Sequence, residues 1–452
     1  MNTRRRTAPF ALALADVASL VVLFNVIAFF RGVVPWNAPI LAPLILPCVF
    51  FLTALYLIEG YNAQADFLSL EYASQHIIAL VLVTLATLLA TFVVFPAGFS
   101  VNQSRSVIVL GYLTLTPLSI GYRRMWHLRA GPERRERTLV FVGDAASCRE
   151  FQLEAQQMKT SQPLVLCALE GDGAADPTLA NLRATLAAVA TGTIDPEALV
   201  LREANPRLPP DISDALLKLY FAGVPIYTLE LFHETYWRKI PRYRLNQIWL
   251  FQEGFQITRE PVFAHAKRLA DLLLAALGLL LAIPVLAIAA LAIWVGDRGP
   301  VFFAQTRIGR NRVPFRMFKL RTMRPAATGD AYTREGDDRV TRVGRFLRVS
   351  RIDEIPQLWN VLRGEMSLIG PRAEWDRLVS IYENEIPCYH FRHLVKPGIT
   401  GWAQVNYPYG ANLEDTVRKL EYDLYYIRHF SFFLDAAIVL KTIHTMLFGK
   451  GR

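Results

Sequence analysis

Two adjacent acids, Asp353 and Glu354, are the residues of this chain best suited to chemistry. Pro356 follows them and an amphipathic run comes next. Because proline is tolerated in a first turn, where its missing N–H has no intrahelical acceptor, the pattern predicts that both acids lie at a helix N-terminus. Neighbouring side chains on a helix point about 100° apart, so the two carboxylates cannot face one atom. We therefore expect separate roles, one carboxylate as a nucleophile and the other as a ligand of a hard cation.

Arginines surround this acidic pair on both sides. An isolated acidic pair before a proline is more often a charge pair that favours the helix dipole. Guanidinium groups, however, fork onto phosphate oxygens, so acids that can hold a metal inside a shell of arginines indicate phosphoryl chemistry. The arginines of this shell are Arg348, Arg351, Arg363 and Arg372.

The sequence around the acids resembles a known family. Segments 350–360 (Ser-Arg-Ile-Asp-Glu-Ile-Pro-Gln-Leu-Trp-Asn) and 367–372 (Ser-Leu-Ile-Gly-Pro-Arg) are similar to motifs of the bacterial polyprenyl-phosphate sugar-1-phosphate transferases. These are the large monotopic phosphoglycosyl transferases, and the likeness is to their exopolysaccharide-type undecaprenyl-phosphate branch. The resemblance covers residues 265–450, and its further blocks lie at 305–309, 315–323, 338–348, 396–405 and 421–426.

The resemblance implies that a sugar 1-phosphate passes from a UDP-sugar to undecaprenyl phosphate, giving undecaprenyl-diphosphate-sugar and UMP and so initiating surface glycan synthesis. Both substrates are anions, and a covalent aspartyl phosphosugar intermediate separates their union into two steps. By resemblance Asp353 is the nucleophile, and Glu354 holds the Mg2+ that neutralises the diphosphate. Lys267 and Arg268 stand where the lipid head group should arrive. The substrate-binding candidates are Lys267, Arg268, Lys319, Arg321, Arg348, Arg351, Gln357 and Arg372.

One departure from the family pattern lies at 406–410, which reads Asn-Tyr-Pro-Tyr-Gly. Small family members have Asn-Gly-Arg at this point, and that arginine binds phosphate. The arginine is missing here, so the identity of the sugar does not carry over from those members and remains open.

The composition indicates a membrane protein. Hydrophobic residues make up 53% of the 452 residues, and the net charge of +10 suits anionic lipid head groups or nucleotides. No nucleic-acid-binding motif is present, so nucleic acid is not an expected partner. Four apolar stretches, at 8–30, 39–58, 76–95 and 106–122, each approach the ~20 residues that span a bilayer core. Arginines before the first and after the fourth predict that both ends of this bundle are cytoplasmic.

A parallel α/β domain is predicted next, because short apolar strands alternate with amphipathic helices between 138 and 229. Only Gly143 stands where a dinucleotide fingerprint requires several glycines, so a degenerate Rossmann-like module with a regulatory or assembly role is favoured over a bound dinucleotide. Residues 233–264 are interpreted as an aromatic and basic connector that suits either the bilayer interface or a packed seam between domains.

A last apolar run, 272–295, is long enough to span a bilayer, but basic residues flank both of its ends. Pro284 interrupts it and removes a helix hydrogen bond. These facts favour a re-entrant helix with its kink at Pro284, and family members that this chain resembles have such a helix. A true fifth crossing is the alternative, and it would place Asp353 outside, away from nucleotide-sugars.

The predicted architecture is thus a membrane α plus α/β protein: a four-helix transmembrane bundle (1–125), a Rossmann-like domain (135–232), the connector (233–264) and a monotopic catalytic α/β domain with a re-entrant helix (265–452). We expect a multi-pass protein of the bacterial inner membrane whose catalytic domain faces the cytoplasm, in contact with membrane lipids. The oligomeric state is open, with a homodimer as one option. The competing hypothesis is a non-enzymatic membrane scaffold or sensor that binds a nucleotide-sugar through the 138–229 module.

Overall fold

The computed structural model describes residues 3–33, 35, 39–62, 67–68, 70–94, 101–135, 137–158, 160, 162–169, 177–202, 209–241, 261–324, 337–407, 410 and 412–447. These residues form two compact units, Met1–Trp237 and Arg238–Arg452. Most of the predicted connector, residues 242–260, lies outside the described part of the chain.

The first unit begins with four helices: α1 (Thr3–Phe30), α2 (Ile45–Leu57), α3 (Leu70–Val94) and α4 (Val101–Arg135). Segments of α1 and α3, Pro9–Phe30 and Tyr72–Thr91, are long and apolar enough to cross a membrane. The apolar segment Ala42–Leu57 is shorter. The predicted fourth stretch lies in α4, where serine, threonine, glycine and tyrosine dilute the apolar residues. The four-helix transmembrane bundle therefore stays a prediction, whereas a membrane-associated protein is supported.

A buried ion pair joins α1 to α4. A carboxylate is costly in lipid, so Asp16 on α1 requires a polar partner on another helix. Its Oδ2 lies 2.6 Å from Nη2 of Arg123, and neither side chain is exposed to solvent. Tyr61 and Tyr122 donate hydrogen bonds to the same carboxylate. Nearby, Nε2 of His76 on α3 lies 2.6 Å from Oγ of Ser119 on α4. Polar contacts thus hold these apolar helices in one register.

This ion pair gives a prediction of stability. Replacing Arg123 with methionine leaves the Asp16 carboxylate buried without its counter-charge, which typically costs about 3–5 kcal/mol. We expect Arg123→Met to lower the thermal unfolding midpoint in detergent, and the double variant Asp16→Asn/Arg123→Met to recover part of that loss. Equal midpoints for Arg123→Met and the unaltered protein would show that the pair contributes nothing.

The rest of the first unit is a parallel sheet with strands in the order β2-β1-β3-β4. Alternate residues of β1 face opposite sides: Val140 joins one apolar core with α6 and α7, and Phe141 joins another with α5. The predicted parallel α/β sheet is confirmed. The elements are β1 (Thr138–Gly143), α5 (Ala145–Gln157), β2 (Leu164–Ala168), α6 (Pro177–Ala190), β3 (Pro196–Leu201), α7 (Pro210–Phe221), β4 (Ile226–Thr228) and α8 (Leu229–Phe232).

The turn between β1 and α5 is where a dinucleotide phosphate would sit in a Rossmann domain. Here the carboxylate of Asp144 caps α5 by accepting a hydrogen bond of 2.9 Å from the backbone N–H of Ser147. The guanidinium of Arg202, which follows β3, pairs with the same carboxylate. The strand order also differs from the 3-2-1-4 arrangement of classic dinucleotide-binding folds. These features favour the degenerate module over a dinucleotide site.

The second unit is built on a 37-residue helix, α9 (Pro261–Asp297), which contains Pro284. Its segment Ala264–Gly296 is the third that is long and apolar enough to cross a membrane. An antiparallel hairpin of β5 (Phe302–Ile308) and β6 (Pro314–Leu320) follows, and β7 (Ser367–Ile369) pairs in parallel with β8 (Gly398–Thr400). The remaining helices are α10 (Arg342–Val349), α11 (Gln357–Arg363), α12 (Asp376–Glu385), α13 (Trp402–Asn406), α14 (Leu413–Arg428) and α15 (Phe432–Leu447).

Both halves of α9 pack against this unit. Before Pro284, Ala275 lies in a core with residues of β6 and α11, and Asp271 accepts a hydrogen bond of 3.0 Å from the backbone N–H of Leu368. After Pro284, Ala289 and Ile293 pack in a core with residues of β6 and α10. The opposite face of α9 carries exposed leucines and isoleucines along its length. One stripe of the helix is therefore part of the protein core, and the other is available to lipid.

Candidate functional site

The two acids lie in a short 3-10 turn, Ile352–Glu354, that comes just before α11. The acids were expected at a helix N-terminus, and the structure places them in the turn immediately before that terminus, because α11 begins only after Pro356. Pro356 has no N–H to donate to the carbonyl of residue 352. The backbone here forms i→i+3 hydrogen bonds, such as the one from the N–H of Ile355 to the carbonyl of Ile352 at 3.2 Å. Arg351 begins the turn with φ of 57°, a left-handed conformation that costs a non-glycine residue energy. Both acids are more than nine-tenths buried, Asp353 at 8% and Glu354 at 9% exposure.

Glu354 lies at the centre of three cations. Its Oε1 is 2.6 Å from Nζ of Lys319 and 3.6 Å from Nη2 of Arg372, and its Oε2 is 3.7 Å from Nη1 of Arg351. Lys319 extends from β6, Arg372 follows β7 and Arg351 precedes the acidic turn. Elements that are distant in sequence thus bring three predicted residues together around one carboxylate.

The surroundings move the pKa values of the two acids in opposite directions. Burial raises the pKa of Asp353, and the negative charge of Glu354 raises it further. The positive charges of Lys319 and Arg348 act in the opposite direction. Burial also opposes ionisation of Glu354, but Lys319 and Arg372 outweigh it and lower its pKa to about 2. Glu354 is therefore a permanent anion, whereas Asp353 is a more basic carboxylate. A more basic carboxylate is the better nucleophile, so this difference agrees with separate roles.

Three other predicted residues have structural contacts near the acids. Nε of Arg348 donates to Oγ1 of Thr322 at 2.9 Å, and the charge of Arg348 acts on Asp353. Gln357 is buried at the start of α11. The guanidinium of Arg321 lies against Gly299, beyond the end of α9. Of the eight candidates, Lys319, Arg351 and Arg372 contact Glu354 directly.

The two residues predicted to meet the lipid head group, Lys267 and Arg268, have different partners. Lys267 pairs with the carboxylate of Asp435 on α15. Arg268 donates two hydrogen bonds to the end of α11, at 2.5 Å to the carbonyl of Val361 and 2.8 Å to that of Leu362. A cation in this position satisfies carbonyls that a helix terminus leaves without partners.

A buried network that sequence reasoning missed holds the backbone of Arg372. Nη2 of Arg392 donates to the carbonyl of Arg372 at 3.1 Å and lies 2.8 Å from Oδ2 of Asp423. Nη1 of Arg392 donates to the hydroxyl of Tyr389 at 2.5 Å. Burial raises the pKa of Asp423 to about 6, although Arg392 opposes this. The sequence signal for this network was the charged residue Asp423 within the 421–426 block, which α14 buries.

Asn360 is a second residue that was missed. It is fully buried on α11, where its amide nitrogen donates to the carbonyl of Arg316 at 2.7 Å. Its amide oxygen accepts a hydrogen bond of 3.1 Å from the backbone N–H of Phe318. Both partners belong to β6, so Asn360 fixes α11 to the strand that carries Lys319.

The carboxylates could hold a magnesium ion. Mg2+ keeps several waters and binds through one or two carboxylates plus substrate phosphates, and it does not need a dedicated cage. No cluster of three or more potential metal ligands of the His, Cys, Asp and Glu types occurs in the described residues. The carboxylate of Glu354 fits this modest requirement, but the ammonium of Lys319 at 2.6 Å must yield one of its oxygens.

Fold and site define a membrane-associated protein whose second unit presents a buried carboxylate pair within a cluster of cations. The family model "Bacterial sugar transferase" matches residues 262–449. A UDP-glucose:undecaprenyl-phosphate glucose-1-phosphate transferase of Caulobacter vibrioides is 45% identical over 185 residues, which are 40% of this chain and 69% of the relative. This chain belongs to the bacterial sugar transferase family.

Two further relatives differ in how much of them is matched. A UDP-N-acetylgalactosamine-undecaprenyl-phosphate N-acetylgalactosaminephosphotransferase of Aeromonas hydrophila is 41% identical over 238 residues, 52% of this chain and 55% of the relative. The exopolysaccharide production protein PSS of Rhizobium leguminosarum bv. phaseoli is 38% identical over 194 residues, 41% of this chain and 97% of the relative. The match thus spans about half the length of the Aeromonas protein.

Proposed function

We propose that the protein transfers a sugar 1-phosphate from a UDP-sugar to undecaprenyl phosphate. The observation that carries the proposal is the buried Asp353–Glu354 turn, with Lys319 and Arg372 at Glu354, inside the segment that matches the sugar transferase family. Cations placed where two anionic substrates must meet offset their mutual repulsion. The names of the relatives agree with this substrate pair.

The proposed mechanism has two displacements at one phosphorus. An oxygen of Asp353 attacks the phosphorus that bears the sugar, and the bond to UMP breaks as UMP takes its electron pair. An oxygen of undecaprenyl phosphate then attacks the same phosphorus and releases the carboxylate of Asp353. Lys319, Arg351 and Arg372 hold phosphate oxygens and compensate their charge. When bound at Glu354, Mg2+ would neutralise the diphosphate.

The test uses membranes that contain the full-length protein. They are incubated with UDP-N-acetylgalactosamine, UDP-glucose, UDP-galactose or UDP-N-acetylglucosamine, with and without undecaprenyl phosphate. We expect one of these sugars to give UMP and a lipid-linked sugar, with release of more than one UMP per protein molecule only when undecaprenyl phosphate is supplied. The absence of UMP with every donor of the panel would contradict the proposal.

We further propose that α9 enters the membrane and returns on the cytoplasmic side. A straight helix of this length would extend about 55 Å, well beyond the ~30 Å hydrocarbon core. Yet residues on both sides of Pro284 pack against the same unit, as Asp271 and Ile293 show. A unit that contacts both ends of the helix is difficult to accommodate around a complete crossing. The basic flanks favour the inner membrane and its cytoplasmic face.

Single cysteines test this topology. In a background whose four native cysteines are serine, His265→Cys and Arg345→Cys place exposed thiols on the two sides of the apolar run. Re-entry requires that an impermeant thiol reagent label both positions in inside-out vesicles and neither in right-side-out vesicles. Labelling from opposite sides would establish a crossing.

The position of Arg372 gives a prediction for Arg392. Lysine keeps the positive charge but cannot reproduce the fork that joins Asp423, Tyr389 and the carbonyl of Arg372. Because small misplacements of a substrate-binding group can lower rates about 100-fold, we expect Arg392→Lys to reduce kcat for UMP release about 10- to 100-fold. Purified protein in detergent serves for the kinetics, and Arg377→Lys, at an exposed position on α12, is the control. Wild-type kcat in Arg392→Lys would exclude this positioning role.

The pKa of Asp353 predicts the pH dependence. Its pKa is raised, and only the ionised carboxylate is a nucleophile, so kcat/KM should fall with decreasing pH at a higher pH than an ordinary aspartate would cause. Arg348 is one of the cations that lower this pKa, with Lys319 and Arg351, while Glu354 raises it. We therefore expect Arg348→Gln to move the acidic limb to higher pH. Arg345→Gln, an exposed change on the same helix, should leave the limb in place, and equal limbs in both variants would contradict this prediction.

A further inference from the structure

A further carboxylate, that of Glu374, lies two residues beyond Arg372. Arg372 and Trp375 form backbone bridges to β8 and β5, so the segment between them is extended. Residues two apart in an extended chain project to the same side, and the side chains of Arg372 and Glu374 therefore share one face. Because the guanidinium of Arg372 reaches Glu354, this face borders the proposed reaction site.

The carboxylate of Glu374 is held by charge and not by hydrogen bonds. Its Oε2 is 3.8 Å from Nη1 of Arg307, and its Oε1 is 3.9 Å from Nη1 of Arg392. Both distances exceed the roughly 2.7–3.2 Å of an N–H···O hydrogen bond. Within the described part of the chain, no donor forms a hydrogen bond with either oxygen. Since 20% of the side chain is exposed, both oxygens can accept hydrogen bonds from a ligand.

The two arginines direct their hydrogen bonds to other groups. Arg307 donates to the carbonyl of Ala373 at 3.1 Å and to the side-chain oxygen of Gln305 at 2.7 Å. Arg392 donates to Asp423 at 2.8 Å and to the two further acceptors described above. An ion pair that served only the fold would use such donors on its own carboxylate. The arrangement instead leaves an ionised acceptor beside cations that are already engaged.

The charge of Glu374 also acts on two cations near the site. Burial lowers the pKa of Arg307 to about 10, and the charge of Arg372 lowers it too. Glu374 and then Glu354 oppose this shift, so Arg307 lies within electrostatic reach of both carboxylates. Burial likewise lowers the pKa of Lys419 on α14, and Glu374 is the acid that opposes that shift most.

These surroundings indicate the kind of ligand that Glu374 can bind. The neighbouring cations repel a metal ion. An ionised carboxylate accepts hydrogen bonds and donates none, so it suits hydroxyl groups. The cations suit phosphate oxygens. A ligand with adjacent hydroxyls next to a phosphate satisfies both, and an acidic side chain binds a ribose hydroxyl in this way in dinucleotide-binding folds.

We propose that Glu374 accepts hydrogen bonds from two adjacent hydroxyl groups of the nucleotide-sugar donor, whose diphosphate lies at Arg372. The inference rests on the proposed function, because it assigns a further part of the donor site. The hydroxyls belong either to the ribose or to the transferred sugar, and both offer the same pair of donors.

The test measures donor binding without turnover. Full-length Asp353→Asn protein in detergent is titrated calorimetrically with UDP, 2′,3′-dideoxy-UDP and each UDP-sugar of the panel, with and without the second change Glu374→Gln. Loss of a charged acceptor should weaken binding about 10- to 100-fold. Glu383→Gln, which removes a carboxylate paired with Arg312 at an exposed site, is the matched control. Equal unfolding midpoints show that the variants are folded.

The ligands distinguish the two sources of the hydroxyls. If Glu374→Gln weakens binding of a UDP-sugar but not of UDP, Glu374 binds the transferred sugar. If it weakens UDP and the UDP-sugar equally and leaves dideoxy-UDP unchanged, Glu374 binds the ribose. Equal weakening of all three ligands would overturn the inference, because Glu374 would then act only through its arginines.

The same titrations separate this inference from the proposed function. Donor binding that is the same with and without Glu374→Gln would refute the role of Glu374 alone. If Asp353→Asn protein with an intact Glu374 bound neither UDP nor any UDP-sugar of the panel, both proposals would fall.

Discussion

Replacing Asp353 with asparagine is expected to lower kcat for UMP release by about 10⁴-fold, since loss of a catalytic nucleophile removes most of the rate enhancement. The amide is similar in shape to the carboxylate but cannot form an acyl phosphate. The measurement is UMP release from the active UDP-sugar by purified full-length protein, with and without undecaprenyl phosphate.

Cys388→Ser is the control for this variant. Cys388 is a buried thiol of the same unit, in the apolar core that contains Tyr389 and Trp402. It should release UMP at the normal rate, and unchanged unfolding midpoints would show that both variants are folded. Full turnover by Asp353→Asn would mean that another group is the nucleophile.

The second large effect is expected for Glu354→Gln. The change leaves Lys319, Arg351 and Arg372 without the anion that gathers them, and it provides a neutral oxygen where a divalent cation would bind. Removal of an electrostatic group of this kind typically lowers kcat by about 10²- to 10³-fold. If Glu354 holds Mg2+, the Mg2+ concentration for half-maximal activity should also increase. Both quantities come from one titration of activity against Mg2+.

Glu383→Gln provides the matched comparison. Glu383 also pairs with an arginine of this unit, Arg312, but at an exposed site. We expect its Mg2+ titration to coincide with that of the unaltered protein. If Glu354→Gln lost activity without any change in its Mg2+ requirement, the carboxylate would organise the three cations and would not be a metal ligand.

The chemical residues could be predicted from sequence because they lie in short blocks. Asp353, Glu354 and the arginines near them are separated by few residues, and the resemblance extends over the same blocks. Lys319 was a candidate for the same reason, although its distance of 2.6 Å from Glu354 depends on the pairing of β6 with the rest of the unit. Periodicity likewise predicted the parallel sheet, because alternating strands and helices leave few other arrangements.

Contacts across long sequence separations could not be predicted in the same way. Arg392 and Asp423 are joined by the packing of α14, and no local pattern indicates that their charges meet beneath Arg372. The division of Lys267 and Arg268 is similar, because adjacent residues on a helix point in different directions and take different partners. The start of α11 after Pro356, and not at the acids, depends on hydrogen-bond geometry that proline permits in more than one form.

The start of the second unit determines how this protein can be shortened. Lys239 is buried 3.1 Å from Glu421, whose side chain is fully enclosed, and Ile240 lies in the same core. The indole of Trp402 also donates to the carbonyl of Arg238 at 2.9 Å. An expression clone that began at α9 would therefore lose one of the two cations that pair with the buried Glu421 and keep only Arg418 at 3.4 Å, whereas one that began a few residues before Arg238 would retain the contacts of Arg238, Lys239 and Ile240.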